Sequence, residues 1–430
     1  MSTPPRVVVV GGGFGGLEVC RCLAKAAKRG EISLTLVDKE NFFQFNPLLP
    51  EVATGRVETR HIVYPLRAFC APRGIRFLRN KLRYVDHDRK VVLLHNGLEL
   101  GYDHLVLAMG SSTNFFGIPG AEAHSFPFKT LMDAIRLRAH SVEMWELADQ
   151  AEEESRRREL LTFVVAGGGI TGVEVCSELM QLFRHTMADL YPRVPQSLVS
   201  VYLVEAGDRL LPGIREEHAK VAEQHLRSLG VNVFLNRKVK EVRQDAVYLD
   251  DGGVIPAHTM IWATGVRGQL LEKPLPWTLG RSGRLKIGGD GKVAPGVWAL
   301  GDTADCTDSD GVSVPMVAQG ALQMGQVVAQ NILSDLGLGG KPATLRYWNM
   351  GYFVGLGKHS TVASLLGVPV SGVLAWYLWA MAYLVKVVGF RKQFEVAMDI
   401  LKGFFVNHDT SQIHERRRML REQDINPDLN

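Results

Sequence analysis

Cysteine is scarce in this sequence and is not arranged for metal binding. The chain has five cysteines in 430 residues, at Cys20, Cys22, Cys70, Cys176 and Cys306. None of them forms a CxxC motif or a zinc-ligand spacing. An odd number of loosely spaced cysteines fits a reducing compartment. The sequence therefore predicts no metal site.

A predominance of one charge is also absent. The chain carries 49 Lys and Arg against 45 Asp and Glu, a formal net charge of +4 at pH 7. That excess is too small to indicate nucleic-acid binding, although it is compatible with an anionic membrane surface. A strand begins within the first six residues, which leaves no room for a secretory signal. We therefore expect a cytoplasmic protein, unless a leader precedes this sequence.

No uninterrupted hydrophobic run suits a membrane-spanning helix. Residues 362–385 carry no charge, but Gly367, Pro369 and Gly372 interrupt their first half. The continuous apolar stretch that follows, LAWYLWAMAYLV, has 12 residues, whereas a membrane-spanning helix needs about 20. Its aromatic residues are of the kinds that favour lipid headgroups. They are Trp376, Tyr377, Trp379 and Tyr383.

The next segment, FRKQFEVAMDILKGFF at 390–405, predicts an amphipathic helix. One arc of about 100° is charged and the opposite side is apolar. The charged residues are Arg391, Lys392, Glu395, Asp399 and Lys402, and the apolar ones are Phe390, Phe394, Ala397, Leu401, Phe404 and Phe405. A helix packed on a core shows the same pattern, but the neighbouring aromatic stretch favours attachment to a membrane surface. Residues 414–430 predict a solvated tail.

Glycine, in contrast, is abundant, and it first appears in VVVVGGGFGGLEV. Here Gly11, Gly13 and Gly16 follow a buried strand and precede a helix, and the next strand ends at Asp38. In a dinucleotide-binding unit the first glycine permits the turn, the second admits the pyrophosphate and the third allows close packing. The helix N-terminus attracts the phosphates.

The same pattern returns about 156 residues later in VVAGGGITGVEV. Gly167, Gly169 and Gly172 form the turn, and the following strand ends at Glu205. An acid there can accept hydrogen bonds from both ribose hydroxyls and would repel a 2′-phosphate, which favours NADH over NADPH. If only one such loop were present, it could be interpreted as a glycine turn that binds no ligand. The presence of two complete copies argues against that interpretation.

Three further buried strands run into glycine turns, at 105–114, 260–266 and 297–305. The first two resemble crossings between nucleotide-binding domains. The third places Asp302 at a strand tip, where an acid can bond a ribityl or ribose hydroxyl. A simple strand-terminating turn is the alternative.

A helix is predicted to begin near Pro315, with Gln319, Gln323 and Gln326 on one face. A helix N-terminus directed at a flavin would stabilise negative charge near N1 of the reduced ring. A polar face towards solvent or another domain is the alternative.

As an ordered set, these motifs resemble the two-dinucleotide-binding flavoproteins. Within them the sequence resembles the type II NADH dehydrogenases, which are single-subunit NADH:quinone oxidoreductases. The motifs that carry the resemblance are VVVVGGGFGG, FNPLLPEVATG, GGGITGVEVCSEL, LVEAGDRLLP, GDTADC, AQGALQ and the tail AWYLWAMAYLVKVVGFRKQF. The likeness covers about residues 5–410.

The resemblance implies an α/β fold with two Rossmann-like, glutathione-reductase-like domains and a C-terminal helical membrane-binding segment. An FAD-binding domain would comprise residues 1–120 and 286–345, an NADH-binding domain residues 121–285, and the membrane-associating segment residues 346–430.

It also implies the ligands of each loop, with FAD held non-covalently by the first and NADH accepted as substrate by the second. The residues expected at FAD are Gly11, Gly13, Phe14, Gly15, Gly16, Asp38, Lys39, Gly110, Asp302, Ala318 and Gln319. The residues expected at NADH are Gly167, Gly169, Ile170, Thr171, Gly172, Glu174, Glu205 and Gly265.

The resemblance further implies catalytic roles for Glu174, Gln319 and Gln323. Glu174 would contact the nicotinamide or a neighbouring proton path, and charge complementarity at the helix end is its alternative role. The residues expected to line the quinone site are Pro47, Leu48, Gln319, Gln323 and Lys386. Lys386 would line the entrance, and snorkelling to the membrane interface is equally compatible with its position.

The implied reaction is hydride transfer from nicotinamide C4 to flavin N5, followed by reduction of a membrane quinone without proton pumping. The implied partners are that quinone and the lipid bilayer surface, and the family allows a homodimer. The protein would lie peripherally on the cytoplasmic face of the cell membrane, or on the matrix- or stroma-type face of an organelle.

Three other functions are possible for a flavoprotein with this pattern of motifs. Disulfide reductases of this fold need a CxxxxC soon after the second strand, where NFFQFNPLLPE has no cysteine. Sulfide:quinone oxidoreductases use a pair of flavin-facing cysteines, one late in the chain, but no cysteine follows Cys306. Cys176 and Cys306 are better interpreted as small buried residues. A flavin-holding scaffold for redox signalling stays open, and multiple turnovers would distinguish it from an enzyme.

Overall fold

The computed structural model describes residues 3–386, 388–402 and 410. In chain order the strands are β1 (Arg6–Val10), β2 (Ser33–Asp38), β3 (Phe42–Gln44), β4 (Val63–Pro65), β5 (Arg76–Arg79), β6 (Leu82–Asp86), β7 (Val91–Leu94), β8 (Glu99–Gly101), β9 (His104–Leu107), β10 (Ser111–Thr113), β11 (Phe126–Pro127), β12 (Thr162–Ala166), β13 (Ser200–Val204), β14 (Val231–Phe234), β15 (Val239–Val242), β16 (Ala246–Leu249), β17 (Val254–Pro256), β18 (Thr259–Trp262), β19 (Val266–Gly268), β20 (Leu285–Ile287), β21 (Lys292–Ala294), β22 (Val297–Ala299), β23 (Ala304–Cys306), β24 (Gly351–Gly355), β25 (Thr361–Leu365) and β26 (Val368–Ser371). The α-helices are α1 (Phe14–Lys28), α2 (Leu49–Ala53), α3 (Leu66–Cys70), α4 (Ala121–His124), α5 (Leu131–Gln150), α6 (Glu154–Leu160), α7 (Ile170–Gln181), α8 (Ala188–Leu190), α9 (Glu216–Ser228), α10 (Ala318–Asp335), α11 (Gly372–Lys386) and α12 (Phe390–Lys402).

The chain divides into two compact units. The first contains residues 3–44, 63–112 and 266–350, and the second contains residues 45–62, 113–265 and the described part of 351–430.

The first unit is built on a six-stranded sheet in the order β21-β22-β9-β1-β2-β5. Its strands pair in parallel except for β21 with β22. The four consecutive valines of β1 are all buried, as expected for a central strand covered on both faces. Helix α1 connects β1 to β2, which is the βαβ arrangement predicted for the first loop, and α10 packs against α1.

The second unit repeats this plan with a five-stranded parallel sheet in the order β11-β18-β12-β13-β14. Strand β12 is central and buried along its length, and α7 follows its loop. The predicted α/β fold with two Rossmann-like units is therefore confirmed. Helix α5 starts at a capping box, because Thr130 accepts from the amide of Asp133 and the Asp133 carboxylate accepts from the amide of Thr130.

The C-terminal part of the second unit is an antiparallel sheet, β24-β25-β26, followed by α11 and α12. Gly367, Pro369 and Gly372 thus belong to a turn, a strand and a helix start rather than to one long helix. Among the described residues, no helix combines the length and the apolarity that crossing a bilayer requires. Phe404, Phe405 and the tail at 414–430 lie outside the described residues.

Helix α12 carries the predicted two faces, but part of its charged side contacts protein. The Asp399 carboxylate is 2.5 Å from Nδ1 of His61, and Lys392 donates to the carbonyl of Arg60 at 2.8 Å. Phe394 and Leu401, on the apolar side, are exposed.

The aromatic residues of α11 are more buried than the sequence suggests. Trp376 and Trp379 were expected near lipid headgroups, yet both are buried. Trp379 packs on Tyr383 and Trp376 packs on His359, so this side of α11 faces protein.

Candidate active site

The loop after β1 is held by the acid at the end of β2. Gly11 adopts φ +109°, a conformation that favours glycine. The amide of Gly12 donates to Oδ2 of Asp38 at 2.5 Å, and the amide of Glu40 donates to Oδ1 at 2.7 Å. Burial raises the pKa of Asp38, and the two amides oppose that effect. Both carboxylate oxygens are thus fixed in direction while each keeps a lone pair for a further donor.

The loop after β12 has the same geometry. Gly167 adopts φ +105°. The amide of Gly168 donates to Oε2 of Glu205 at 2.6 Å, and the amide of Gly207 donates to Oε1 at 2.6 Å. Two segments that are far apart in the chain therefore adopt the same local structure, in which an acid at the end of the second strand accepts hydrogen bonds from amides of the glycine loop.

The third glycine of each loop is required by the protein itself. A Cβ on Gly16 would lie 1.9 Å from the carbonyl oxygen of Gly11, and a Cβ on Gly172 would lie 1.9 Å from that of Gly167. Neither distance is compatible with a side chain, so the helix can approach its loop only at glycine.

The second glycine of each loop faces open space instead. A Cβ on Gly13 or Gly169 would meet no atom within 4 Å, and their φ values of −79° and −71° suit any residue. Helices α1 and α7 begin directly after these glycines, neither of which caps its helix with a side chain, and the N-terminus of a helix presents amides that no intrahelical carbonyl accepts. A phosphate in each loop would fit beside its second glycine, so the residues present fit a dinucleotide in each loop.

Two further strand ends meet in the first unit. The amide of Gly110 donates to Oγ1 of Thr303 at 2.9 Å, and the hydroxyl of Ser111 donates to Oδ2 of Asp302 at 2.9 Å. Gly15 lies against α10, because a Cβ there would stand 3.0 Å from the carbonyl oxygen of Ala321 in that helix, and 2.2 Å from the side chain of Leu300.

Two of the glutamines of α10, Gln319 and Gln323, hold a short strap, residues 348–350. Gln323 donates to the carbonyl of Trp348 at 2.9 Å and accepts from its amide at 3.0 Å. Gln319 accepts from the amide of Met350 at 3.0 Å. Gln326 differs from both, since it donates to Glu18 on α1 at 2.8 Å.

The remaining predicted residues lie near the loops or in the tail. Phe14 packs edge-on against Phe43 in the first unit with ring centroids 5.0 Å apart, and Lys39 is exposed. Gly265 adopts φ +70° beside Phe116 in the second unit. Four other predicted residues are half-buried. They are Ile170, Thr171 and Pro47 in the second unit and Ala318 in the first. Leu48 is buried and Lys386 is exposed at the end of α11.

The predicted set therefore divides between the units. The first unit brings together all the residues expected at FAD, with Gln323. The second contains all those expected at NADH, with Pro47, Leu48 and Lys386.

The second unit also contains a cluster of buried charged residues. Glu174 is the only member of this cluster that the sequence analysis predicted as a site residue. Glu174 and Glu178 are one turn apart on α7, and Glu51 comes from α2. Nη2 of Arg56 lies 2.9 Å from Oε1 of Glu51 and 2.9 Å from Oε1 of Glu178. Thr54 donates to Oε2 of Glu178 at 3.3 Å. We call Glu51, Arg56, Glu174 and Glu178 the acid cluster.

Glu174 accepts a hydrogen bond from the amide of Gly355 in β24 at 3.0 Å. Burial raises the pKa of Glu174 well above its ordinary value, and the neighbouring charge of Glu51 adds to the effect. A carboxyl group with a raised pKa at the first turn of the helix that follows the glycine loop is a candidate for proton chemistry. The only sequence signal for the cluster was the presence of charged residues, Glu51 and Arg56, beside an apolar segment.

Cys176 and Cys306 are buried, which confirms their interpretation as small buried residues. Burial raises the pKa of Cys306 to about 12, with the nearby aspartates adding to the effect, so its thiol stays protonated at neutral pH.

Comparison with known proteins connects these features to one family. The model of the pyridine nucleotide-disulphide oxidoreductases matches residues 5–325, and that of the NDH2 C-terminal domain matches residues 350–409. The type II NADH:quinone oxidoreductase Ndh of Mycobacterium tuberculosis is 30% identical over 410 residues, covering 91% of this chain and 86% of its own. The type II NADH:quinone oxidoreductase of Haemophilus influenzae is 29% identical and covers 84% and 87%.

Solved structures agree on the fold. NDH2 from Plasmodium falciparum in complex with NADH superposes with a TM-score of 0.87 at 19% identity, covering 95% of this chain and all of that one. The sulfide:quinone oxidoreductase of Aquifex aeolicus reaches a TM-score of 0.70 at 19% identity, covering 93% and 92%.

Proposed function

As a member of the type II NADH:quinone oxidoreductase family, the chain oxidises NADH and reduces a quinone, and we propose that non-covalently held FAD carries the electrons between them. FAD bound by this chain would supply the hydride acceptor for the nicotinamide and the electron donor for the quinone, with no proton pumped across the membrane. The observation that carries the proposal is the duplicated loop, in which an acid accepts hydrogen bonds from the loop amides and the second glycine has room beside it for a phosphate.

The first loop holds FAD. Its cradle at Gly13 receives the pyrophosphate at the N-terminus of α1, and Asp38 accepts hydrogen bonds from the adenosine ribose. Asp302, oriented by Ser111, accepts from a ribityl hydroxyl. Helix α10 begins without a side-chain cap, and its N-terminal dipole stabilises negative charge on the reduced ring.

The second loop receives NADH. Glu205 accepts from the ribose hydroxyls, and its charge repels the 2′-phosphate of NADPH. Glu174, on the first turn of α7, contacts the nicotinamide end of the substrate or the proton path beside it.

In the proposed quinone site, Pro47 and Leu48 form part of the wall, and Lys386 lines the entrance. Gln319 and Gln323 border it together with the strap 348–350 that they hold.

We propose that the apolar side of α12 and the adjoining part of α11 bind a lipid surface. Phe394, Leu401 and Met381 are exposed there, although burying such side chains is favourable by about 25 cal/mol per Å². Arg391 and Lys402 are also exposed on α12 and suit an anionic leaflet. This attachment is peripheral and lies on the face where NADH is available. A second copy of the chain could cover the same side, and sedimentation in the absence of lipid distinguishes the two.

Steady-state NADH oxidation by purified protein, with a short-chain quinone as acceptor, tests the proposed function. We expect sustained turnover with NADH, much slower turnover with NADPH and none with sulfide as donor. Sulfide-dependent quinone reduction would favour the sulfide:quinone oxidoreductase alternative. A single reduction of the flavin without further NADH consumption would favour the signalling scaffold.

A further inference from the structure

The acid cluster carries more negative charge than its single cation can balance. Three carboxyl groups, from Glu51, Glu174 and Glu178, face one guanidinium, from Arg56. Burying unbalanced charge is costly, and protonation of a carboxylate is the usual remedy. The cluster therefore favours retention of a proton.

Glu51 and Glu178 are the pair best placed to share that proton. Their Oε1 atoms each lie 2.9 Å from the same nitrogen of Arg56, so they are separated by no more than twice that distance. The Glu51 side chain is only 6% exposed, and its Oε2 has no hydrogen-bond partner among the described residues. An oxygen without a donor is poorly suited to a permanent negative charge.

Electrostatics within the second unit support this arrangement. Burial raises the pKa of Glu51 to about 7, with Arg56 opposing the shift and Glu178 adding to it. Burial likewise raises the pKa of Glu178. Among the described residues, two other titratable groups interact with the cluster. Burial raises the pKa of Tyr383 well above its usual range, and burial lowers the pKa of His359, so both are neutral near pH 7. Neither supplies a second cation.

The cluster lies beside residues of the proposed quinone site that belong to the same unit. Pro47 and Leu48 immediately precede α2, which carries Glu51. Tyr383 feels the charges of Glu174 and Glu51 and packs on Phe45 with ring centroids 5.7 Å apart. Lys386 follows Tyr383 by one helical turn on α11.

We propose that Glu51 and Glu178, bridged by Arg56, store one proton and deliver it to the quinone. This inference rests on the proposed function. NADH supplies two electrons and one proton as hydride, whereas a quinone needs two electrons and two protons to become a quinol. The missing proton leaves the carboxyl O–H, a new O–H forms on the quinone oxygen, and the carboxylate left behind regains a proton from water before the next turnover.

Two substitutions test whether Glu51 and Glu178 share a proton, because they should change the retention of that proton in opposite directions. Glu51→Gln leaves Glu178 and Arg56 as a balanced ion pair, which removes the shared proton. Arg56→Gln removes the cation that lowers the pKa of both Glu51 and Glu178, so the pair should stay protonated up to a higher pH. Glu18→Gln is the matched control, because Glu18 is also buried and paired with an arginine, but the hydrogen bond from Arg21 contributes to lowering its pKa.

The measurement is the rate at which quinone reoxidises protein reduced with one equivalent of NADH, followed from about pH 5 to pH 9. The unsubstituted protein should lose rate as pH rises through about 7. In Glu51→Gln that pH dependence should vanish and the rate at low pH should fall by about 100-fold or more. In Arg56→Gln the pH at which the reoxidation rate falls should be higher by about 1 to 3 pH units. Glu18→Gln should match the unsubstituted protein.

Redox difference infrared spectra provide a second readout, in which the band of a protonated carboxylic acid should be lost in Glu51→Gln. An unchanged pH profile or a retained band in that variant would overturn the inference, while NADH:quinone turnover by the unsubstituted protein would leave the proposed function intact. Failure of the unsubstituted protein to reduce quinone would instead overturn the proposed function.

Discussion

Replacing the second glycine of the NADH loop tests ligand binding without disturbing the protein. Gly169→Ala adds a methyl group at a position with φ −71°, where a Cβ meets no atom within 4 Å. The folded protein can therefore accept alanine. Because alanine also restricts the unfolded chain, we expect the free energy of unfolding to stay constant or to rise by about 0.5 kcal/mol.

The methyl group would occupy the cradle in which we place the pyrophosphate. Forcing an extra methyl group against a well-packed neighbour costs about 1 to 3 kcal/mol. Since each 1.4 kcal/mol is about tenfold in affinity, the KM for NADH should rise by about 5- to 150-fold. The assays are steady-state kinetics with quinone at saturation and thermal unfolding of the same preparation.

Gly13→Ala is the matched control, because Gly13 has the same open surroundings in the FAD loop. It should lower flavin retention while leaving the KM for NADH of the flavin-loaded fraction unchanged. A Gly169→Ala protein with an unchanged KM for NADH would refute the assignment of NADH to this loop. Loss of flavin from Gly169→Ala but not from Gly13→Ala would reverse the two assignments.

Three other predictions address selectivity, acid stability and lipid binding. Glu205→Gln removes a charge that would repel the 2′-phosphate of NADPH, an interaction worth about 3 kcal/mol if the charges are about 5 Å apart at an effective dielectric constant of about 20; the kcat/KM ratio of NADH to NADPH should fall by up to about 100-fold, and a constant ratio would contradict the role of Glu205. Burial lowers the pKa of His140 to about 4, and its ring is hydrogen-bonded to Thr259. Because the unfolded chain binds this proton more readily, stability is complete above about pH 6.5 and falls towards pH 4, by about 2 to 3 kcal/mol; urea unfolding of His140→Gln should show a smaller loss, and an equal loss would exclude His140 as its source. Phe394→Asp should weaken binding to anionic vesicles by about tenfold or more, whereas Leu270→Asp, at an equally exposed apolar residue in the first unit, should not; equal binding by both variants would place the lipid contact elsewhere.

The glycine loops are the features that the sequence predicts best, because their spacing encodes backbone geometry directly. Gly16 and Gly172 have no room for a Cβ, and the acids at the ends of β2 and β13 lie close enough to accept loop amides. The start of α1 was less predictable. The sequence places the helix after Gly16, but α1 begins at Phe14 and includes Gly15 and Gly16, although glycine has a low helix propensity; Gly15 packs against α10 there.

Long-range partners explain what sequence reasoning missed. The two faces of α12 were visible in the sequence, but not that Arg60 and His61 would turn its charged side inwards. The acid cluster joins Glu51 to Glu178, which are more than 100 residues apart, so no local spacing could reveal it. The assignment of residues 45–62 to the second unit likewise depends on contacts with residues that are distant in the sequence.

The central claim is that one chain passes electrons from NADH to a quinone through a tightly held flavin. The most direct measurement is an anaerobic titration of the purified yellow protein, with flavin absorbance followed throughout. The account predicts that one equivalent of NADH bleaches the flavin and that one equivalent of a short-chain quinone restores it, repeatedly and without added protein. Flavin that stays oxidised in excess NADH, or that stays bleached in excess quinone, would contradict it.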